Sequence, residues 1–312
     1  YNGYKLITKS GSPPSIQIRN EISNEISNEI FQNIKINDFE LLNSPVKLLS
    51  KNPGKLVYLT DKKITSDDNQ TSYIEFHKKY FEQIKNMIFN PNLITKYSSI
   101  IKLGYSGTHG TGYPLVSKLL SDFGFTDVKY ISQTIQPNYF FPSFSLTQML
   151  DPSDHTSAEI IVKEFINQYG LNDFKNLDLL CFTDPDADRL GVIINVPKKE
   201  KSLYGEWKLL KANDIWTLLL WYMLEIISKQ SNLFSSVLSK MFIVKNFVTT
   251  DALSYTCKKY GIDCIDGKVG FSDLTTVVQQ HWIEGKINIG MFEESSGFGI
   301  AGNPIFPEFK SN

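Results

Sequence analysis

Residues 177–196 read LDLLCFTDPDADRLGVIINV, and this stretch decides the fold class. Its two apolar runs, Leu177–Phe182 and Leu190–Val196, read as buried strands. Between them, Thr183-Asp184-Pro185-Asp186-Ala187-Asp188-Arg189 is a rigid turn with carboxylates at alternate positions. Hard divalent cations take oxygen ligands, and this spacing lets Asp184, Asp186 and Asp188 converge on one ion. Arg189 adds a planar guanidinium of the kind that grips phosphate. A cation beside a guanidinium points to phosphoryl chemistry. The plain alternative is an acidic surface turn, since Asp and Pro are ordinary turn residues. Against it, a corner at the carboxyl end of a strand is where α/β proteins place ligands. An EF-hand loop does not fit, because its sixth and twelfth positions fall on Arg189 and Asn195 in place of Gly and Glu.

Outward from this turn, strand and helix patterns alternate. SSIIKLGYS (98–106) reads as a strand, YPLVSKLLSDFG (113–124) as a helix and TDVKYI (126–131) as a strand. AEIIVKEFINQYG (158–170) is a helix with Ile161, Phe165 and Tyr169 on one face and Gly170 as its stop. Strand, helix, strand in this order predicts a largely parallel α/β domain. After the turn-rich PKKEKSLYGEWK (197–208) a second α/β unit begins. Its first helix carries Ile215, Leu218, Leu219, Tyr222, Met223 and Ile226 at helical spacing, with Asn213 as a candidate cap. MFIVKNFV, a helix through Leu253 and Tyr260, IDCI, FSDLTTVVQQ and KINIGMF continue the alternation. Near the start, EISNEISNEI (21–30) reads as one amphipathic helix, and DKKITSDDNQTS (61–72) as a linker. The expected organisation is consecutive three-layer α/β domains with mixed, largely parallel sheets, over residues 1–72, 73–204 and 205–312.

Three further loops follow strands. GYSGTHGTGYP (104–114) is glycine-rich and opens a helix, so its backbone can approach an anion, although as a bare pattern it reads more often as a tight strand-to-helix turn. It is neither a Walker loop nor a GxGxxG turn. His109 within it is a candidate proton carrier or a structural hydrogen-bonder. FEESSGFG (292–299) offers Glu293, Glu294, Ser295 and Ser296. Such acceptors and hydroxyls suit vicinal sugar hydroxyls, whereas the bland reading is a helix start with acidic residues in its first turn. GKVGFSDL (267–274) places Lys268 near two glycines, where it meets a phosphate or stays solvated.

Composition bounds the rest. The 312 residues suffice for two or three domains, and the net charge of -1 favours neither nucleic acid nor an anionic membrane as a partner. No apolar run reaches the ~18 residues of a membrane span. The longest, Ile215–Ile227, contains Glu225 and reads as a buried helix. No signal peptide opens the sequence, and three cysteines (Cys181, Cys257, Cys264) argue against a disulfide framework or a zinc site. The expectation is a cytoplasmic monomer or homodimer, with Cys181 a small buried hydrophobe.

These loops, in this order, resemble the α-D-phosphohexomutase family of phosphoglucomutases and phosphomannomutases. TDPDADR resembles its magnesium loop, FEESSG its sugar-recognition loop, GTHGTG the turn opening its second domain and KVGF its TGFK segment. KANDIWTLLL is similar to the helix opening its third domain, and the first residues, YNGYK, to those following its serine loop. The resemblance implies a Mg²⁺-dependent enzyme interconverting sugar 1-phosphate and sugar 6-phosphate (glucose, mannose or both) through a phosphoserine, with glucose 1,6-bisphosphate as intermediate or activator. It implies Asp184, Asp186 and Asp188 as metal ligands and Arg189 beside the transferring phosphoryl. Glu293 and Ser295 become sugar contacts, with Lys268 a further substrate contact and His109 a catalytic candidate. FEES and YNGYK lean towards the phosphoglucomutase and phosphopentomutase branch.

The departures are as specific. No TASHNP-like serine segment occurs, the family lysine after GF is Ser272, and the sequence stops soon after the sugar loop. The 312 residues are therefore expected to be the middle of a mutase that turns over no substrate alone but keeps weak Mg²⁺ affinity. One alternative is a catalytically silent relative that binds a sugar phosphate. Another is a phosphatase with Asp184 as nucleophile, which leaves FEESSG unexplained.

Overall fold

The computed structural model describes residues 6–7, 13–33, 56–58, 71–73, 76–145, 150–229 and 238–300. By its internal contacts the chain divides into two compact units, Ser15–Ile88 with Lys310–Asn312, and Tyr1–Pro14 with Phe89–Phe309.

The smaller unit contains helix α1 (Ile16–Asn33), which takes in the EISNEISNEI repeat as one helix. Strands β1 (Leu56–Tyr58) and β2 (Thr71–Tyr73) pair in parallel and precede helix α2 (Phe76–Asn86). Of the linker expected at 61–72, residues 61–70 lie outside the described residues, and Thr71 and Ser72 are strand residues paired with Leu56 and Val57. YNGYK and the tail from residue 301 also lie outside them.

The larger unit opens with α3 (Pro91–Tyr97), whose first turn is capped by the Asn90 side chain accepting from the Leu93 N–H at 3.3 Å. It then builds a five-stranded sheet. In chain order come β3 (Lys102–Ser106), α4 (Tyr113–Asp122), β4 (Asp127–Tyr130), α5 (His155–Tyr169), α6 (Leu171–Lys175), β5 (Leu179–Thr183), β6 (Leu190–Asn195), the short α7 (Lys201–Tyr204) and β7 (Trp207–Leu209). The spatial order is β4-β3-β5-β6-β7, parallel across β4, β3 and β5 and antiparallel from β5 onward. The aspartate turn is thus the hairpin joining β5 to β6. Helix α5 covers one face, where Ala158, Ile161, Val162 and Phe165 pack with Leu180, Phe182 and Ile193. Tyr113 at the start of α4 meets Tyr130 edge to face, as Tyr105 does, on β4 and β3.

The second sheet follows α8 (Ala212–Lys229): β8 (Met241–Asn246), α9 (Ala252–Tyr260), β9 (Asp263–Gly267), α10 (Phe271–Ile283), β10 (Ile287–Phe292) and β11 (Phe298–Gly299). Its order is β11-β10-β8-β9, with only β11 antiparallel. Every residue of β8 and β10 is buried, as expected of parallel strands covered on both faces. Helix α8 supplies Trp216, Leu220, Leu224 and Ile227 against Met241, Ile243, Ile287 and Ile289. Helix α10 supplies Leu274 and Val278 against Phe242, Val244 and Met291. The larger unit is α/β with two mixed, largely parallel sheets.

Three local readings change. The buried stripe of α8 is Ala212, Trp216, Leu220, Met223, Leu224 and Ile227, so Leu218 faces out at 62% exposure. Trp216 draws the stripe round, because its indole N–H donates to the Glu293 carbonyl at 2.7 Å. Asn213 lies inside this helix, and its side-chain oxygen accepts from the Thr250 N–H at 3.2 Å. Cys181 is only partly buried, since β5 alternates between core and partly open positions.

Candidate functional site

The β5–β6 turn starts from a core strand, so its first carboxylate is drawn inward. Asp184 is 2% exposed, Asp186 half-buried and Asp188 exposed. One oxygen from each lies within 4.8 Å of the others. Arg189 folds back over this cluster. Its N–H donates to Asp184 Oδ1 and its Nε to Asp184 Oδ2, both at 3.0 Å, while its Nη1 reaches Asp151 Oδ2 at 2.9 Å. Ala187 completes the turn at φ 59°, a left-handed conformation uncommon for a residue with a Cβ. Burial raises Asp184, further lifted by Asp186 and Asp188, to about 6 from an ordinary value of 3.8. Three crowded carboxylates with one guanidinium suit a hard divalent cation, so the residues fit the ion that the sequence implies.

The glycine-rich turn is a tight strand-to-helix turn that packs on the aspartate loop. Gly110 packs directly on Pro185, where an added Cβ would lie 2.1 Å from the Pro185 oxygen. The Thr111 N–H and hydroxyl both donate to that oxygen, at 2.8 and 3.2 Å. The Thr108 hydroxyl donates to the Thr183 carbonyl. Gly112 sits against Tyr105, Thr183 and Ala187 with no room for a side chain. The turn is a clasp on the aspartate loop. His109 points into a closed box, 2% exposed, with Nε2 3.1 Å from the Ser143 hydroxyl and Phe141 and Phe144 edge-on at about 6 Å. Burial lowers its pKa. His109 is not among the residues lining the cleft described below.

The facing wall is the β10–β11 loop. Glu293 is buried, its N–H donating to the Gly297 carbonyl at 3.0 Å, while its Oε1 accepts from the Gly270 N–H at 2.9 Å. Burial raises its pKa, and the charges of Glu294 and Asp188 add to the rise. Ser296 takes a left-handed φ of 70°, leaving Ser295 at the surface of the loop. The turn is held from below by Thr249. Its hydroxyl donates to Asn246 Oδ1 at 2.6 Å and accepts from the Glu294 N–H at 3.1 Å. The Thr249 carbonyl in turn accepts from the buried Lys245 ammonium at 3.1 Å. Thr249→Val is therefore expected to destabilise the protein by about 1–3 kcal/mol, and Thr249→Ser to recover most of it. Thermal melts of both variants check this.

A cleft of about 1080 Å³ joins the two walls. Asp184, Asp186, Asp188 and Arg189 line one side, and Glu293 and Ser295 the other, with Phe271 and Phe298 between. Six residues singled out from the sequence thus share one cleft. Lys268 is exposed and does not line it. The Ser272 hydroxyl donates to the Pro14 carbonyl at 2.9 Å, so this position ties down the Pro14 segment. Asp151, Asn246 and Thr249 were missed by sequence reasoning. Asn246 and Thr249 carried a signal in NFVTT, a polar cluster at the carboxyl end of an apolar strand.

The family described as "Phosphoglucomutase/phosphomannomutase, alpha/beta/alpha domain II" matches residues 78–197, the span that contains the clasp and the aspartate turn. Residues 78–197 thus belong to the second-domain family of the phosphoglucomutases and phosphomannomutases. Among curated phosphohexomutases, the phosphoglucomutases of Staphylococcus aureus strains USA300 and N315 are 28% and 30% identical over 234 residues. Each alignment covers 73% of this chain and 37% of the relative, so the chain spans little more than a third of their length. Of solved structures, the open form of parafusin, a phosphoglucomutase from Paramecium, superposes with a TM-score of 0.59 at 16% identity. That match covers 99% of this chain and 48% of the other and shows a shared fold. An N-acetylglucosamine-phosphate mutase in its product complex matches with a TM-score of 0.50 at 16% identity, over 75% and 39% of the two chains. Among the described residues, no helix is long and apolar enough to cross a membrane.

Proposed function

We propose that this cleft binds Mg²⁺ and a phosphorylated hexose as part of a phosphohexomutase that exchanges sugar 1-phosphate and sugar 6-phosphate, the 312 residues alone turning over no substrate. The observation that carries the reading is the meeting of the aspartate turn and the Glu293–Ser295 turn across one cleft. In this proposal Asp184, Asp186 and Asp188 hold the cation, which would supply electrostatic stabilisation of a phosphoryl group. Arg189, anchored by Asp184 and Asp151, presents the rest of its guanidinium to phosphate oxygens. Glu293 accepts from sugar hydroxyls, and Ser295 donates and accepts. Phe271 and Phe298 give the sugar an apolar floor and limit water. His109, enclosed by Ser143 and two phenylalanines, would act by supporting the clasp, and Lys268 would contact substrate only by loop movement. Residues 73–204 and 205–312 are proposed as the metal-binding and sugar-binding domains.

Titration calorimetry with Mg²⁺, then glucose 1-phosphate, tests the proposal. Binding of the sugar phosphate only in the presence of the cation, lost in Asp186→Asn and weakened in Glu293→Gln, is the expected result. Sugar-phosphate affinity unaffected by both substitutions would overturn it.

The pH dependence follows from Asp184. Its folded value, about 6, lies above its ordinary 3.8, so protonation favours the metal-free fold and that advantage is lost as the pH rises through about 6. The cation must displace this proton at low pH. Mg²⁺ affinity is expected to fall roughly tenfold per pH unit below 6 and to level off above about 7. Calorimetry in buffers of differing ionisation enthalpy would show proton release at pH 5.5 and little at pH 8.

A further inference from the structure

The clasp on the aspartate turn has a second face. Thr108, Gly110 and Thr111 reach the aspartate loop, whereas the His109 side chain meets the segment that follows β4. The backbone of His109 is tied to that segment as well. Its N–H donates to the Thr134 carbonyl at 2.7 Å, and its carbonyl accepts from the Asn138 N–H at 2.9 Å. The Asn138 carbonyl accepts in turn from the Phe141 N–H at 3.1 Å, and the Phe141 carbonyl from the Phe144 N–H at 2.8 Å. Phe141 sits at φ 47°, a left-handed conformation that is costly for a residue with a Cβ and persists only where neighbours fix it. Phe141 lines the cleft, and its ring meets that of His109 edge to face at 6.2 Å.

At Nε2 the imidazole has two neighbours on Ser143, the hydroxyl at 3.1 Å and the backbone N–H at 3.4 Å. A backbone N–H only donates, so Nε2 is the lone-pair nitrogen and the ring proton is on Nδ1. Nδ1 is buried and, among the described residues, has no hydrogen-bond partner. An orphaned buried donor is costly, and the fold carries that cost for the acceptor at Nε2. We propose that His109, with its proton on Nδ1, is a positioning residue that fixes Phe141 in the cleft wall and so sets sugar-phosphate affinity without setting cation affinity. The sugar phosphate here is that of the proposed function, whereas the tautomer stands without it. The bonds and contacts that hold the aspartate turn run through Thr108, Gly110 and Thr111, and none of them uses the imidazole. Burial lowers the pKa of His109, so the ring is neutral at pH 7 and Nε2 keeps its lone pair.

Long-range proton–nitrogen correlation spectra of the whole chain, labelled with ¹⁵N at its four histidines, read the tautomer directly. The expected His109 signals at pH 7 are a protonated Nδ1 and a bare Nε2; a proton on Nε2 would overturn the proposal. His109→Leu removes the acceptor, and His109→Gln keeps one near the place of Nε2. In saturating Mg²⁺, His109→Leu is expected to lose about tenfold in glucose 1-phosphate affinity and His109→Gln to stay within about threefold of wild type. Mg²⁺ affinity should stay within about twofold in both. Phe141→Ala should match His109→Leu, and the double variant should lose no more than either alone. Equal losses in the Leu and Gln variants, additive losses in the double variant, or a parallel loss of Mg²⁺ affinity would each overturn the proposal. Circular dichroism checks folding, and if His109→Leu does not fold, the tautomer and Phe141→Ala decide. If the wild type binds no glucose 1-phosphate, the proposed function fails by itself and the wall is read from amide exchange. Exchange at Phe141, Ser143 and Phe144 is then expected to be about tenfold faster in His109→Leu than in wild type or His109→Gln, and unchanged exchange overturns the assignment.

Discussion

Gly110→Ala is expected to lower the melting temperature by roughly 5–10 °C and to weaken Mg²⁺ binding by about tenfold or more. The added Cβ would lie 2.1, 2.3 and 2.5 Å from the oxygen, Cα and carbonyl carbon of Pro185. These are backbone atoms and cannot rotate aside, so the aspartate loop itself must shift, at a cost of about 2–3 kcal/mol. Moving Pro185 moves Asp184 and Asp186 on either side, and the three proposed ligands lose their common centre. Gly107→Ala in the same turn is the control. Its nearest neighbour would be 3.5 Å away, and the change should stay within about 0.5 kcal/mol. Scanning fluorimetry and Mg²⁺ titration of both variants decide the matter. Equal effects from the two glycines would show that the clasp does not set the loop.

Arg189→Met is expected to cost about 3 kcal/mol at pH 8 and clearly less at pH 5. The substitution keeps much of the apolar stem but removes the donors to Asp184 and Asp151. Asp184 is then a buried charge without its partner. Because this carboxyl already titrates at about 6, it is protonated at pH 5, and the penalty for losing the guanidinium shrinks there. Denaturant melts at the two pH values measure the difference, and a destabilisation independent of pH would show that lost packing dominates. Asp151 should be affected less, since the Ser153 N–H and hydroxyl, at 2.8 and 2.7 Å, help keep its pKa low.

Much of this site was legible because it is local. Asp184, Asp186 and Asp188 occupy one turn between two apolar runs, and Glu293 and Ser295 occupy another, so short windows carried both patterns. Strand and helix periodicity placed the longer elements of both sheets for the same reason, but not the short edge strands β7 and β11. The errors came from distant contacts. The packing of Gly110 and Gly112 was hidden because their neighbours include Pro185, Thr183 and Ala187, more than 70 positions away. The stripe of α8 was read one residue out of phase, because the Trp216 indole is fixed by Glu293 across the fold.

The aspartate turn also says something about the order of assembly. Its supports come from Asp151, Thr111 and Thr108, which lie 38, 74 and 75 positions from the residues they hold. Contacts so distant in sequence form only after large loops close, at an entropic cost that rises with loop length. The hairpin between β5 and β6 can pair early, but its carboxylates converge only once the β3–α4 turn has docked. In the proposed reading cation affinity is therefore a late product of folding, and a peptide of residues 177–196 would carry all three aspartates without the site.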